Sequence, residues 1–305
     1  MPAPESPSPR LIDTLAELDD ALREIDAAAA TSDDALRRVF ETFAMRPPVD
    51  VPSDPDSEAY RTKQLDLYAH LHGQPYRIAN EVTAFNPGET ADRPFPYQTG
   101  SARTVGGQLI AIGYLIRQLD LPPGSRVLDA GAGWGNTTIA LARMGHHVTA
   151  LDVEPNFLSL IEERSRRKRL ALETIRGDFS LIGRLGRTFD AVLFFESFHH
   201  SSNHQQLIAS LDRVVAPGGQ VVFAGEPIWP DFPVPWGLRL DGQSLWAIRR
   251  HGWLELGFRE DYFLALLARH GWATRKSMCT ELTGAQTGWG TVFTARRALK
   301  EGDRL

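Results

Sequence analysis

The stretch Val127–Thr138, VLDAGAGWGNTT, sets three glycines within five positions directly after an apolar run. An apolar run, a glycine turn and a helix-type sequence in that order read as strand, loop and helix. Gly131, Gly133 and Gly135 let the loop backbone approach a ligand where a Cβ would collide. Downstream the same texture repeats: TTIALARMG, HVTALDV, NFLSLIEERSRRKR, LETIRGD, FDAVLFFE, HQQLIASLDRVVAPGG, QVVFAGEP. Strand-type and helix-type segments that alternate in this way predict an α/β fold, a Rossmann-like, mostly parallel sheet with helices on both faces. The strand-type runs are apolar throughout, as strands covered on both faces must be. PGG at 217–219 reads as the end of a helix turning into the next strand.

Upstream, Leu11, Leu15, Leu18, Leu22 and Ile25 fall at helical spacing, and Thr31 or Ser32 can cap a second helix bearing Leu36, Val39, Phe40 and Phe43. Residues 1–45 therefore read as an N-terminal helical hairpin, expected to pack on the body or on a second copy of the chain in a homodimer. Residues 46–105 read as a linker and substrate-side lid, opening with the proline-rich RPPVDVPSDPDS. Residues 106–300 hold the main domain, with a long insertion at 226–260.

Bulk composition narrows the partners. With 38 acidic against 33 basic residues the net charge is −5, which argues against a nucleic-acid or anionic-membrane surface. The basic run Arg164–Arg169 ends a helix and reads as a solvated face. The single cysteine, Cys279, rules out an internal disulfide framework. No apolar run reaches the ~18 residues of a membrane span, and the first ten residues lack an apolar signal core. A cytoplasmic protein acting on a small molecule is the expectation.

The carboxylates around the glycine loop say which ligand. A dinucleotide fingerprint wants glycine or alanine where Asn136 stands. Asp129, two residues before the first glycine, would repel a pyrophosphate but welcome an ammonium group. Asp152, at the end of the next strand-type run, can accept both hydroxyl hydrogens of a ribose. Asp178, after the third, can accept from an adenine amino group, with Phe179 or Val153 against the ring. The set asks for an adenosine that carries positive charge and no phosphate, a description S-adenosylmethionine meets.

With DAGAGWG (129–135), LDVEP (151–155), GDF (177–179), FDAVLFFESFHH (189–200) and VVAPGGQVVF (214–223) in register, the sequence resembles the class I S-adenosylmethionine-dependent methyltransferases. More loosely, YRIANEVTAF, PFPY and WGLRLDGQSLWAIR resemble methyltransferases of bacterial polysaccharide pathways. The resemblance implies a seven-stranded sheet whose last strand is antiparallel, with ATRKSMCTEL and WGTVFTARRA as the final two strands. It implies that Asp129, Gly131 and Gly133 hold the methionine end of the cofactor, Asp152 the ribose and Asp178 the adenine, with Glu196 beside them.

The acceptor must be aimed at the methyl group and, if it is a hydroxyl, relieved of its proton. ESFHHSSNH (196–204) follows the fourth strand-type run, so its start should face the methyl group. His200 is the candidate base, with Glu196 or Glu226 to orient it. No metal site is expected, because His199, His200 and His204 lie in one loop with no carboxylate assured at coordination distance. In the insertion, Trp229, Trp236, Trp246 and Trp253 stand among Asp231, Arg239, Asp241, Arg249 and Arg250. Flat aromatics beside charged groups suit a polyhydroxylated ring. His199, Trp229, Trp236, Arg239 and Tyr97 are therefore candidate substrate contacts, and Tyr76 and Glu81 could close over the same mouth. O-methylation of a sugar or glycoside is the reading taken. O- or C-methylation of another natural product, and a non-catalytic cofactor-binding module, remain open.

Overall fold

A computed structural model of the chain describes residues 9–47, 50–96 and 99–298. Its N-terminal part pairs strand β1 (Arg10–Ile12) in parallel with β2 (Phe43–Met45) around helices α1 (Leu15–Ala29) and α2 (Asp33–Phe40). Leu11, expected to open the helical stripe, lies instead on β1 and is half exposed. The reason is local: the Thr14 hydroxyl accepts from the Glu17 N–H while the Glu17 carboxylate accepts from the Thr14 N–H, a reciprocal cap that fixes the helix start at Leu15. Ser32 caps α2 through the Ala35 N–H. Helices α3 (Glu58–His72), α4 (Pro87–Thr90) and α5 (Ala102–Leu119) follow.

The main domain runs β3 (Arg126–Ala130), α6 (Asn136–Arg143), β4 (His147–Asp152), α7 (Pro155–Lys168), β5 (Glu173–Arg176), β6 (Phe189–Phe195), α8 (His204–Ser210) and β7 (Val215–Ala224). Then come β8 (Ile228–Trp229), β9 (Trp236–Leu238), α9 (Gly242–Trp246), β10 (Leu256–Arg259), α10 (Glu260–Arg269), β11 (Trp272–Met278) and β12 (Thr291–Arg297). Seven of these strands form one sheet in the order β11-β12-β7-β6-β3-β4-β5. β12 is antiparallel to both neighbours and the other adjacent pairs are parallel, the architecture expected from the sequence. β3 pairs with β4 on one side and β6 on the other, so strand order reverses there. The glycine loop leaves the carboxyl end of β3, the place where open α/β sheets bind ligands.

Two segments depart from the reading of the sequence. PGG at 217–219 does not turn a helix into a strand; it lies inside β7, whose register against β6 shifts between Phe189 and Ala191. Gly219 sits where a Cβ would lie 2.9 Å from both the Ala216 and Asp190 carbonyl oxygens, so the bulge has no room for a side chain. The insertion, for its part, is a small folded unit: β8, β10 and β9 make their own three-stranded sheet.

That unit packs on the N-terminal helices. The Tyr60 hydroxyl donates to the Trp236 carbonyl at 2.7 Å, and the Leu238 N–H donates to Gln64 at 3.1 Å. Arg249 reaches both Asp19 carboxylate oxygens at 3.1 Å and donates to the Leu71 carbonyl. Arg250 pairs with Asp26. Leu18, Leu22, Tyr60, Trp236, Ile248 and Phe258 join one apolar cluster with residues of the main sheet. The hairpin is therefore packed on the body of its own chain. Among the described residues, no helix is long and apolar enough to cross a membrane.

Candidate active site

A cavity of about 390 Å³ opens at the carboxyl ends of β3, β4 and β6, within the range of small-molecule sites. Its floor is the glycine loop. Gly131 takes φ +72°, and a Cβ there would lie 2.5 Å from the Ser197 Cβ and 3.3 Å from the Phe179 ring. Only glycine lets the loop press against the turn after β6. Gly131→Ala should weaken binding of S-adenosylhomocysteine at least about tenfold, since left-handed strain of about 1–2 kcal/mol adds to the displacement of Ser197. A titration calorimetry curve matching the wild type would show that the loop does not shape the site.

Asp152, at the end of β4, lines the cavity and organises the loop: it accepts from the Gly133 N–H at 2.8 Å and the Glu154 N–H at 2.9 Å. Burial lifts its pKa to about 6 despite those bonds. Val153, Asp178 and Phe179 line the same wall. Asp178 also caps the following turn by accepting from the Ser180 N–H at 2.7 Å, and Phe179 meets Phe194 edge-on at 5.6 Å. Gly133 leaves nothing within 4 Å of the place a Cβ would take, an open cradle on the cavity wall. Trp134 packs edge to face with Phe157, and both line the cavity. The Arg164 guanidinium, expected on a solvated face, is buried and donates to the Trp134 carbonyl.

Asp129 is the first correction. It does not line the cavity; it is buried under the loop and accepts from the Thr138 hydroxyl at 2.6 Å. Its carboxylate ties the end of β3 to α6, and its pKa rises to about 6, chiefly by burial.

The opposite wall is the turn after β6. Glu196 lines the cavity and holds φ +51°, a left-handed conformation that an ordinary side chain rarely adopts. Burial and the neighbouring Glu226 push its pKa to about 7, against the opposing pull of the Trp289 and Gln108 side chains. Glu226 was expected to orient His200, but its oxygens are committed elsewhere. They accept from the backbone N–H groups of Ser197 and Phe198 at 2.9 Å and His199 at 3.1 Å, and from His199 Nδ1 at 2.8 Å. Glu226 is buried, and these donors hold its pKa below the ordinary carboxylate value against the cost of desolvation.

His200 lines the cavity with Nδ1 3.4 Å from Glu81 Oε2, so its carboxylate partner is Glu81 and neither Glu196 nor Glu226. Glu81 is fixed by the insertion, whose Leu254 N–H donates to it at 3.0 Å. Burial alone would lower the His200 pKa; Glu81, Glu255 and Glu226 outweigh it and bring the ring to about 9. His199 Nε2 faces Glu255 Oε2 at 3.6 Å.

The insertion and the segment before α4 close the mouth. Trp229 lies under the Arg239 guanidinium at 5.4 Å, and Arg239 also bonds Glu255 at 3.3 Å. Trp253 donates to the Thr83 hydroxyl at 3.1 Å. Trp229, Arg239, Trp253, Glu81 and Thr83 all line the cavity. Trp236 does not. It is buried, its indole donates to the Pro55 carbonyl at 2.8 Å, and it packs on Tyr60 and His204. His204 is likewise a core residue, its pKa pressed down to about 3 by burial. Tyr76 packs edge-on against Tyr68, beside Glu81 but behind the residues that line the cavity. Tyr97 lies outside the described residues. Reasoning from the sequence missed Glu255, Gln108 and Trp289. Glu255 sat in a segment already marked as an insertion; the other two carry no local signal.

Comparison with known proteins adds four findings. Residues 128–223 match the family model described as a methyltransferase domain. The chain is 33% identical over 107 residues to a demethylmenaquinone methyltransferase of Tropheryma whipplei, which is 35% of this chain and 44% of that protein. It is 25% identical over 169 residues to a ubiquinone biosynthesis O-methyltransferase of Xylella fastidiosa, covering 54% and 59%. The matches thus span about half the length of these relatives. A provisionally named O-methyltransferase of Nostoc punctiforme shares the fold with a TM-score of 0.50 at 18% identity, over 77% of this chain and 67% of that one.

Proposed function

We propose, from the premise that the chain belongs to the class I S-adenosylmethionine-dependent methyltransferases, that it methylates a hydroxyl group of a small polyhydroxylated molecule, a sugar or glycoside. The observation that carries this reading is the single cavity joining two unlike walls. One wall, with the open cradle at Gly133, the Asp152 carboxylate and Asp178 beside Phe179, fits a nucleoside without phosphate. When bound, S-adenosylmethionine supplies an electrophilic methyl group.

The chain's own residues do the rest. Asp152 offers its oxygens to ribose hydroxyls and Asp178 to an adenine amino group. Trp229, stiffened by Arg239, presents a flat face for the apolar side of a sugar ring. Arg239, Glu255 and Glu81 offer hydrogen bonds to its hydroxyls. The proton of the attacking hydroxyl leaves toward Glu81, which the His200 ring faces at 3.4 Å. The relatives named for quinone biosynthesis favour a second reading, a phenolic acceptor stacked on Trp229. Incubation with methyl-labelled cofactor and a panel of glycosides, nucleotide sugars and phenols, followed by mass spectrometry, separates the two. Label on phenols alone would overturn the sugar reading. Absence of any heat with S-adenosylhomocysteine would overturn both.

Cofactor affinity carries a pH signature. Asp152 accepts two ribose hydroxyls best as a carboxylate, and its pKa is raised to about 6 in the free protein. Protonation on acidification weakens the acceptor, so affinity should fall by up to about tenfold per pH unit below ~6 and level off above it. Calorimetric titrations from pH 5 to pH 8 check this. An affinity flat down to pH 5 would put the ribose elsewhere.

A further inference from the structure

We infer that His199, His200 and Glu255 form a binding site for a divalent transition-metal ion of the zinc type, set in the cavity wall where the acceptor would lie. The inference rests on the methyl-transfer reading only for its role; the site itself stands on geometry. One candidate ligand atom from each of the three side chains lies within 4.8 Å of the others. They come from separate elements, the turn after β6 and the segment leading into β10. Ligands on one zinc ion at about 2.0–2.2 Å stand roughly 3.3 Å apart, so shifts of about an ångström complete the set.

The hydrogen bonding is already arranged for a cation. Ionised Glu226 can only accept, so His199 Nδ1, 2.8 Å away, carries the hydrogen. His199 Nε2 faces Glu255 Oε2 at 3.6 Å, a pair that draws together when a proton or a metal ion stands between them. A carboxylate that fixes the tautomer of a histidine whose other nitrogen meets a metal is the usual outer arrangement of such sites. His200 Nδ1 is buried and stands 3.4 Å from Glu81 Oε2 without a hydrogen bond between them.

Charge points the same way. Glu81, Asp152, Asp178, Glu196, Glu226 and Glu255 line the cavity, against Arg239 and a His200 ring that its carboxylate neighbours favour as the cation. Two imidazoles with one carboxylate suit zinc, manganese or ferrous iron better than magnesium or calcium, which prefer oxygen alone. Three protein ligands leave a position open, as in catalytic sites. The sequence offered His204 as third ligand to the two histidines. The fold buries His204 in the core and brings Glu255 instead. An acceptor hydroxyl reaching the open position would ionise more readily, and Glu81, 3.4 Å from His200, is placed to receive its proton.

The test uses untagged full-length protein stripped with a chelator and dialysed. Zinc titrated by calorimetry should bind at one equivalent, and magnesium at the same concentration should give no such heat. Cobalt bound in place of zinc should give visible d–d absorption. His200→Ala and Glu255→Gln should each weaken zinc at least about 100-fold. S-adenosylhomocysteine binding, measured in every variant, reports an intact fold. No zinc binding to the wild type, an equal response to magnesium, or undiminished zinc binding in both variants overturns the site. Protein that binds S-adenosylhomocysteine but not zinc keeps the methyltransferase reading and loses the metal. Protein that binds zinc but not S-adenosylhomocysteine does the reverse.

Discussion

Replacing His200 by alanine lowers kcat/KM for methyl transfer by about 10²–10⁴-fold, the usual worth of a positioned acid–base group, while S-adenosylhomocysteine binds as before. The expectation follows from position. His200 stands on the turn after β6 and lines the cavity between the nucleoside wall and the aromatic mouth. Among sugar hydroxyls, none is acidic enough to ionise unaided near neutral pH, so the group beside it sets the rate. The side chain bears on the cofactor wall only through its charge beside Asp152, so the two measurements should separate. A variant with wild-type turnover would remove His200 from the reaction. Loss of cofactor binding in step with activity would reassign it to the architecture of the pocket.

Glu226→Ala should destabilise the fold by about 3–5 kcal/mol, because it strands a cluster of buried donors. The Glu226 carboxylate accepts three consecutive backbone N–H groups, of Ser197, Phe198 and His199, and also the His199 ring. Alanine leaves all of them without their acceptor in a wall that water reaches poorly. The same clamp borders Glu196, whose φ of +51° persists only while its surroundings hold it. Urea unfolding of the two proteins measures the difference. A shift under about 1 kcal/mol, the level of an exposed pair, would mean that the clamp adds nothing to stability.

The cofactor wall was largely legible in the sequence because its parts are local. A strand, a turn that needs Gly131 and a carboxylate at a strand end each leave a signature within a few residues, and the parallel sheet fixes where those ends meet. Asp152, Val153, Asp178 and Phe179 all line the cavity as the strand ends place them. Asp129 went astray because alternation decides which face a side chain takes but not whether a nearby hydroxyl captures it, as Thr138 does. Trp236 and Trp229 look alike in the sequence. One fills the core against Tyr60 and the other meets the cavity because a small sheet of its own folds the insertion.

By itself the sequence determined the sheet, its switch point and the ligand-bearing ends of its strands. Periodicity and turn chemistry act over a handful of residues, and the handedness of parallel crossovers leaves little freedom beyond them. The partners of the histidines were decided only in three dimensions. Glu81 reaches His200 from 119 positions upstream and Glu255 reaches His199 from 56 downstream. Both are brought there by the packing of the insertion on the N-terminal helices, a long-range burial that no local pattern encodes.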